Sequence, residues 1–285
     1  MTTIHSAEVL AGDRFEFGKN WKNFLDHLTD DRIARAEESM RTVLSAPTLE
    51  GKRFLDIGSG SGLFSLAARR LGATVSSFDY DPNSVGCTRL LKQRYFAGDP
   101  SWTVEEGSVL DDAYMCKWRG FDVVYSWGVL HHTGSMWKAI ENAAATVAVG
   151  GTFVISLYND QGTWSRRWTK LKRIYNALPR FLRVPYTVLV MGAREVPPFL
   201  HALRRGRPLD YLRLYAQYGA ERGMSKWHDM VDWIGGYPFE VSKPEQVFHF
   251  FKQRGFELVT LTTCAGGLGC NEFVFHRTSA PAAHG

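Results

Sequence analysis

Two acids and a cluster of glycines carry the clearest chemical signal in this chain. Asp56 lies near the end of "RFLDIG", a short apolar run rich in strand formers. Gly58, Gly60 and Gly62 follow in a G-x-G-x-G spacing with Ser59 inside it, and Asp79 closes a second such run 23 residues after Asp56. A turn this dense in glycine lets backbone N–H groups approach a ligand closely. Three ligands suit it: a dinucleotide, a nucleoside triphosphate and S-adenosylmethionine. The dinucleotide fingerprint, G-x-G-x-x-G, would need its third glycine where Leu63 stands, and the Gly-Lys-Ser/Thr ending of a triphosphate loop is absent. A carboxylate at position 56 would repel a pyrophosphate but would pair with the ammonium of a methionine moiety. Asp79, followed by Tyr80, can accept hydrogen bonds from both hydroxyls of a ribose. The side chains select S-adenosylmethionine.

A second group of residues would serve the transfer itself. Displacement of a methyl group from a sulfonium needs an aligned nucleophile in a dry site, and a base if the nucleophile is a hydroxyl. His131 and His132 stand in "SWGVLHHT", with His132 as the expected base and His131 as a substrate neighbour. A loop histidine bonded to backbone is the plainer alternative for either. Tyr158 and Asn159, in "SLYND", are expected at the same end, together with Trp164 and His228 from further along the chain. The acids near His228 (Asp229, Asp232, Glu240) have no ligand spacing, so no metal is expected.

The elements that must hold these groups alternate. "GLFSLAARRLG" has Leu63, Leu66, Ala67 and Leu71 at helical spacing and Gly72 as its stop. "SMWKAIENAAATV" sets Met136, Ile140, Ala143 and Val147 on one helical face. "SKPEQVFHFFKQRGF" opens with Ser242 and Glu245 as a capping box and closes at Gly255, and "FELVTLTT" and "NEFVFHR" read as two final strands. Strand, helix, strand in this order argues an α/β architecture with a doubly wound, mostly parallel sheet.

Here the chain resembles the class I S-adenosylmethionine-dependent methyltransferases, in particular the ubiquinone-biosynthesis type. After the glycine turn, "GSVLDD" resembles the end of that family's third strand, "FDVVYSWGVLHHT" its fourth strand and loop, and "AVGGTFVISLYND" its fifth. The match runs well from 51 to 159 and loosely from 244 to 277. It implies a Rossmann-like sheet of seven strands with the last antiparallel. It also implies an adenine contact at this strand end, by Ser108, Val109 or a backbone N–H, because Ser108 stands where the family often has Asp. Ser126 and Trp127, at the end of the fourth strand, join the expected cofactor contacts.

Two parts lie outside that core. Residues 1–50 form an expected helical lid segment. In it, "FEFGKNWKNFL" precedes a helix near Asp31 to Leu44, and Trp21 either covers the cofactor or packs the helix. Residues 160–243 form a basic, aromatic-rich cap insertion. Trp164, Trp168, Leu171, Tyr175 and Leu178 fall on one stripe of a helix, with Arg166, Arg167, Lys170 and Arg173 on its flank and back. The run "VPYTVLVMGA" follows, too short to span a bilayer. Between Gln161 and Lys226, 14 Lys and Arg face three acids, a net of +11, so the remainder carries −6 of the overall +5. Such a segment is a solvated cap, a wall for an anionic substrate, or a surface for anionic lipid.

Composition narrows the rest. Hydrophobic residues make up 45% and charged residues 22% of 285, as in a globular protein with a real core. No run reaches the length of a membrane span, and the N-terminus lacks a secretory signal. Four cysteines without CxxC spacing are expected as free thiols of a cytoplasmic protein, and residues 278–285 as a disordered tail. The expected activity is O-methylation of a small or lipid-linked molecule, such as a phenol or sugar. Nucleic-acid (tRNA-type) methylation through the basic insertion is the alternative.

Overall fold

The structure, a computed structural model, describes residues 4–18, 21, 25, 28–207, 209, 213 and 226–279, with the side chains of Lys226 and His228 outside that description. The elements in chain order are α1 Ile4–Ala11, α2 Asp30–Leu44, β1 Arg53–Ile57, α3 Leu63–Arg70, β2 Thr74–Asp79, α4 Pro82–Tyr95 and β3 Trp102–Glu106. Next come α5 Asp112–Met115, β4 Phe121–Trp127, a 3₁₀ turn Leu130–His132, α6 Met136–Ala144 and β5 Val147–Tyr158. The chain continues through α7 Thr163–Ala177, α8 Arg180–Arg204, α9 Lys226–Gly235, α10 Pro244–Lys252, β6 Phe256–Thr262 and β7 Cys270–Arg277. The greater part of the expected tail, 280–285, lies outside the described residues.

Among the described residues seven strands form one sheet in the order β3-β2-β1-β4-β5-β7-β6. The first five pair in parallel, and β7 runs antiparallel to both β5 and β6. The sheet is therefore doubly wound and mostly parallel, with a seven-stranded order. Parallel strands need apolar cover on both faces. One face packs on α2, α3 and α4 through Ile33, Met40, Leu66 and Leu91. The other packs on α5, α6 and α10 through Met115, Ile140, Val247 and Phe251. Phe54, Leu55, Asp56 and Ile57 of β1 are all buried between these layers, which is why an acid in that strand stands out.

Three local expectations need correction. Val147 opens β5 opposite Phe121 instead of extending α6, because the chain turns at Thr146, whose N–H donates to the Ala143 carbonyl. The cap of α10 is Lys243, whose N–H donates to Gln246 Oε1 at 3.0 Å. Ser242 is buried and spent elsewhere: its N–H donates to the Tyr158 carbonyl and its carbonyl accepts from Asp160. The buried face of α7 is also rotated from the apolar stripe. It runs through Ser165, Lys172, Tyr175 and Asn176, while Trp164 is 58% exposed with the Arg167 guanidinium 4.7 Å above its ring. The cause is polar. Lys172 Nζ donates to the Trp233 carbonyl and Asn176 Nδ2 to the Gly235 carbonyl at 2.7 Å, satisfying the open C-terminal end of α9.

Candidate functional site

Every strand from β3 to β5 ends at one cavity of about 600 Å³, within the usual range for a small-molecule site. With neighbouring parallel strands about 4.8 Å apart, five strand ends spread the site over roughly 19 Å. Its floor therefore reads in sheet order. Ser108 and Val109 follow β3, Asp79 and Tyr80 end β2, and Gly58, Ser59 and Gly60 follow β1. Trp127 and His132 follow at β4, and Tyr158 ends β5. Phe15, Phe17 and Trp21 close it from the N-terminal segment, and Asp229 and Asp232 from α9.

The β1–β3 half is built from backbone and carboxylates. Gly58 has φ +79, and a Cβ there would stand 2.3 Å from Val129 Cγ1, so no other residue fits without displacing that loop. Gly60 N–H donates to Asp79 Oδ2 and Asp81 N–H to Oδ1, each at 2.9 Å, which fixes the carboxylate plane and leaves further lone pairs toward the cavity. Burial pushes Asp79 up to about 6 despite those two amides. Asp56 is buried more deeply. Its Oδ2 accepts from Ser65 Oγ, which meets Ser77 Oγ at 2.7 Å, which in turn accepts from Trp102 Nε1 at 3.0 Å. Burial raises Asp56 to about 7, with the nearby Asp79 charge adding to the rise. A buried carboxylate of this kind is stabilised by an incoming cation.

The β4–β5 half is aromatic and holds two histidines in opposite tautomers. His132 Nδ1 lies 2.6 Å from the Pro238 carbonyl, which can only accept, so Nδ1 carries the proton and Nε2 is left as an acceptor. His131 Nδ1 accepts from the Tyr158 N–H at 3.2 Å, so its proton sits on Nε2, which has no partner among the described residues. Burial holds His132 down to about 3 and keeps His131 well below the usual imidazole range. Both rings are neutral near pH 7. His132 packs against Phe17 at 4.9 Å between centroids, and His131 stacks on Tyr158 at 3.9 Å.

Several expected contacts stand away from the cavity. Ser126 is buried with its hydroxyl bonded to the Ile57 carbonyl, so it ties β4 to β1. Gly62 begins α3 where a Cβ would press on Thr88 of α4 at 2.8 Å. Asn159 donates to Gly267 and accepts from Asn271, closing the β7 loop. His131 lies behind His132, and Trp164 is on the outer surface. His228 belongs to α9, but its side chain lies outside the described residues. Trp21 lines the cavity over Gly60 and also packs on the α2 layer.

Other cavity residues were not expected. Arg14 donates to the His132 carbonyl and lies 4.9 Å above the Tyr80 ring, joining the two halves. Asp81 Oδ2 accepts from Gly18 and Oδ1 from Asn83, tying the N-terminal segment to α4. The Asp-Pro-Asn start of α4 was a readable cap. Ser65 and Phe15 gave no signal apart from their neighbours in space.

This combination of sheet order, glycine turn and paired carboxylates defines a class I methyltransferase architecture. Residues 25–190 match the family described as methyltransferase domain, and the chain belongs to it, within the class I S-adenosylmethionine-dependent methyltransferases. Relatives include a tRNA U34 carboxymethyltransferase of Methylococcus capsulatus, 33% identical over 193 residues covering 65% of this chain and 55% of that protein. A ubiquinone biosynthesis O-methyltransferase of Cereibacter sphaeroides is 29% identical over 136 residues, 47% of this chain and 51% of that protein. The chain thus spans about half the length of these curated relatives. Magnesium protoporphyrin IX methyltransferase of Synechocystis, solved with bound SAH, shares the fold at a TM-score of 0.50 and 14% identity, covering 97% of this chain and 89% of that one.

Proposed function

We propose that the protein moves the methyl group of S-adenosylmethionine to a hydroxyl of a small or lipid-linked aromatic molecule. In this reading Asp56 pairs with the cofactor's ammonium, Asp79 accepts from the ribose hydroxyls, and Ser108 and Val109 border the adenine. The methionine end lies along the Gly58–Ser61 turn, whose Gly58 and Ser59 N–H groups donate to the Phe78 carbonyl and whose Gly60 N–H donates to Asp79. The methyl then points toward β4 and β5. As the acceptor oxygen bonds to the methyl carbon, the sulfur–carbon bond breaks, and the hydroxyl proton leaves to His132 Nε2 or to water. A nitrogen held neutral down to about pH 3 is a weak base but a good hydrogen-bond acceptor, so its main work is to align the hydroxyl.

The observation that carries this reading is the acceptor half itself. A neutral His132 acceptor faces the same cavity as Phe15, Phe17 and Tyr158, a setting suited to a ring bearing a hydroxyl. The relatives named for ubiquinone O-methylation support it. The relatives named for tRNA U34 favour a second reading, nucleic-acid modification through the basic insertion. Against that, Arg166, Arg167, Lys170 and Arg173 are exposed on α7 and do not line the cavity. The test is incubation of the protein with methyl-labelled cofactor and, separately, a metabolite and lipid extract or bulk tRNA. The reading expects one CH₂ of added mass on a hydroxylated aromatic molecule. Label appearing only in tRNA, or a carboxymethyl increment, would overturn it.

A further inference from the structure

We infer that the outward face of α8 docks on an anionic lipid surface, whatever molecule the cavity accepts. The helix runs 25 residues, about 37 Å at 1.5 Å per residue. Its inner side is accounted for: Thr187 and Met191 are buried, and Tyr186 and Val190 pack with Phe15, Tyr175, Met230 and Ile234. The opposite side is exposed. At about 100° per residue, Phe181, Leu189, Val196, Leu200 and Leu203 fall within one arc of about 120° that holds no Lys, Arg, Asp or Glu. All five are exposed, Phe181 at 77% and Leu189 at 71%. A solvated helix carries charge on that side, and an apolar band of this length marks an interaction surface.

Charge selects the partner. Arg180 stands at one end of α8 and Arg204, Arg205 and Arg207 at the other, all exposed, and α7 turns Arg166, Arg167, Lys170 and Arg173 outward beside it. From Gln161 to Arg207 the chain holds 11 Lys and Arg against the single acid Glu195, a net of +10. Pairing two such faces would bring +10 against +10, which disfavours a second copy. An anionic bilayer surface matches both properties, taking the apolar band into its interface while the arginines reach the headgroups. None of the described helices is long and apolar enough to cross a membrane, so the helix would lie in the interfacial plane.

The full chain is sedimented with vesicles of phosphatidylcholine alone and of phosphatidylcholine with phosphatidylglycerol, at low and high salt. Partitioning onto the anionic vesicles is expected to exceed that onto neutral ones by about tenfold or more and to fall steeply with salt. Leu189→Asp with Leu200→Asp, both exposed positions, should abolish binding while the circular dichroism stays unchanged. Arg204→Glu with Arg205→Glu and Arg207→Glu should remove the preference for anionic vesicles. Absence of binding by the unaltered chain, or equal binding to neutral vesicles, overturns the inference. So does a dimer in light scattering that Leu189→Asp disperses, which would make the face a contact between copies. A Leu189→Cys thiol that resists maleimide without vesicles would show that the chain covers the face itself, and would also overturn it.

Discussion

The two halves of the cavity solve their tasks with different materials. Between β1 and β3 the cavity is lined by the glycine turn and two carboxylates, whose positions follow from the hydrogen bonds of that turn and one strand register. Between β4 and β5 the wall is assembled from pieces distant in sequence: Phe15, His132, Tyr158 and Asp232. The first half is fixed by hydrogen bonds of the turn, Gly58 and Ser59 N–H to the Phe78 carbonyl and Gly60 N–H to Asp79, and by sheet pairing. The second is held by single hydrogen bonds between elements, such as His132 to Pro238 and Arg14 to His132. A fixed cofactor and an exchangeable acceptor would call for this division.

Substitutions can break the division most severely at Gly58. In Gly58→Ala the residue must hold a left-handed backbone and its Cβ must displace Val129, together costing about 3–4 kcal/mol. Cofactor affinity, measured by calorimetry, should fall by up to roughly a thousandfold. The other half responds in rate: His132→Ala should lower kcat on the order of a hundredfold with cofactor affinity nearly unchanged. If both parameters fall together, the halves are not separable. Asp79→Ala should show the reverse pattern, weakening the cofactor by about 1.5–3 kcal/mol through loss of a charge-assisted acceptor while kcat at saturation holds.

Acidity sharpens the same contrast. Only ionised Asp56 pairs with an ammonium, and its carboxyl is held up to about 7 in the free protein. Affinity for the cofactor should therefore rise about tenfold between pH 6 and pH 8, with proton release on binding visible in buffers of different ionisation enthalpy. His132, held down to about 3, should contribute no acid limb to kcat in that window. Loss of kcat below pH 7 would contradict a neutral His132. The smallest effect belongs to Trp164→Ala. With its ring in solvent and away from the cavity, turnover should stay within about twofold of the unaltered chain.

Sequence reading worked where local rules decide. The strand holding Asp56, the glycine turn and Asp79 at a strand end are local patterns, and the structure brings Asp56 and Asp79 to one cavity. It misled where a polar pair in space outweighed periodicity. The apolar stripe from Trp164 to Leu178 gave the buried face of α7 only in part: Trp168, Leu171 and Tyr175 pack inward, but Trp164 is exposed and the face is turned toward Lys172 and Asn176, which are drawn to the open carbonyls of α9. Ser126 and Asn159 had plausible positions beside the right strands, yet their side chains are committed to Ile57 and to the β7 loop. Ser65, which holds Asp56, lies on the next helix and acquires its role only when α3 folds over β1.

The most direct test of this two-part site is a crystal structure with S-adenosylhomocysteine bound. The account predicts ribose hydroxyls on Asp79, the amino group at Asp56, adenine beside Ser108 and Val109, and the sulfur directed toward His132 and Tyr158. Adenine lodged instead among Phe15, Phe17 and Tyr158, or a ribose without contact to Asp79, would contradict it.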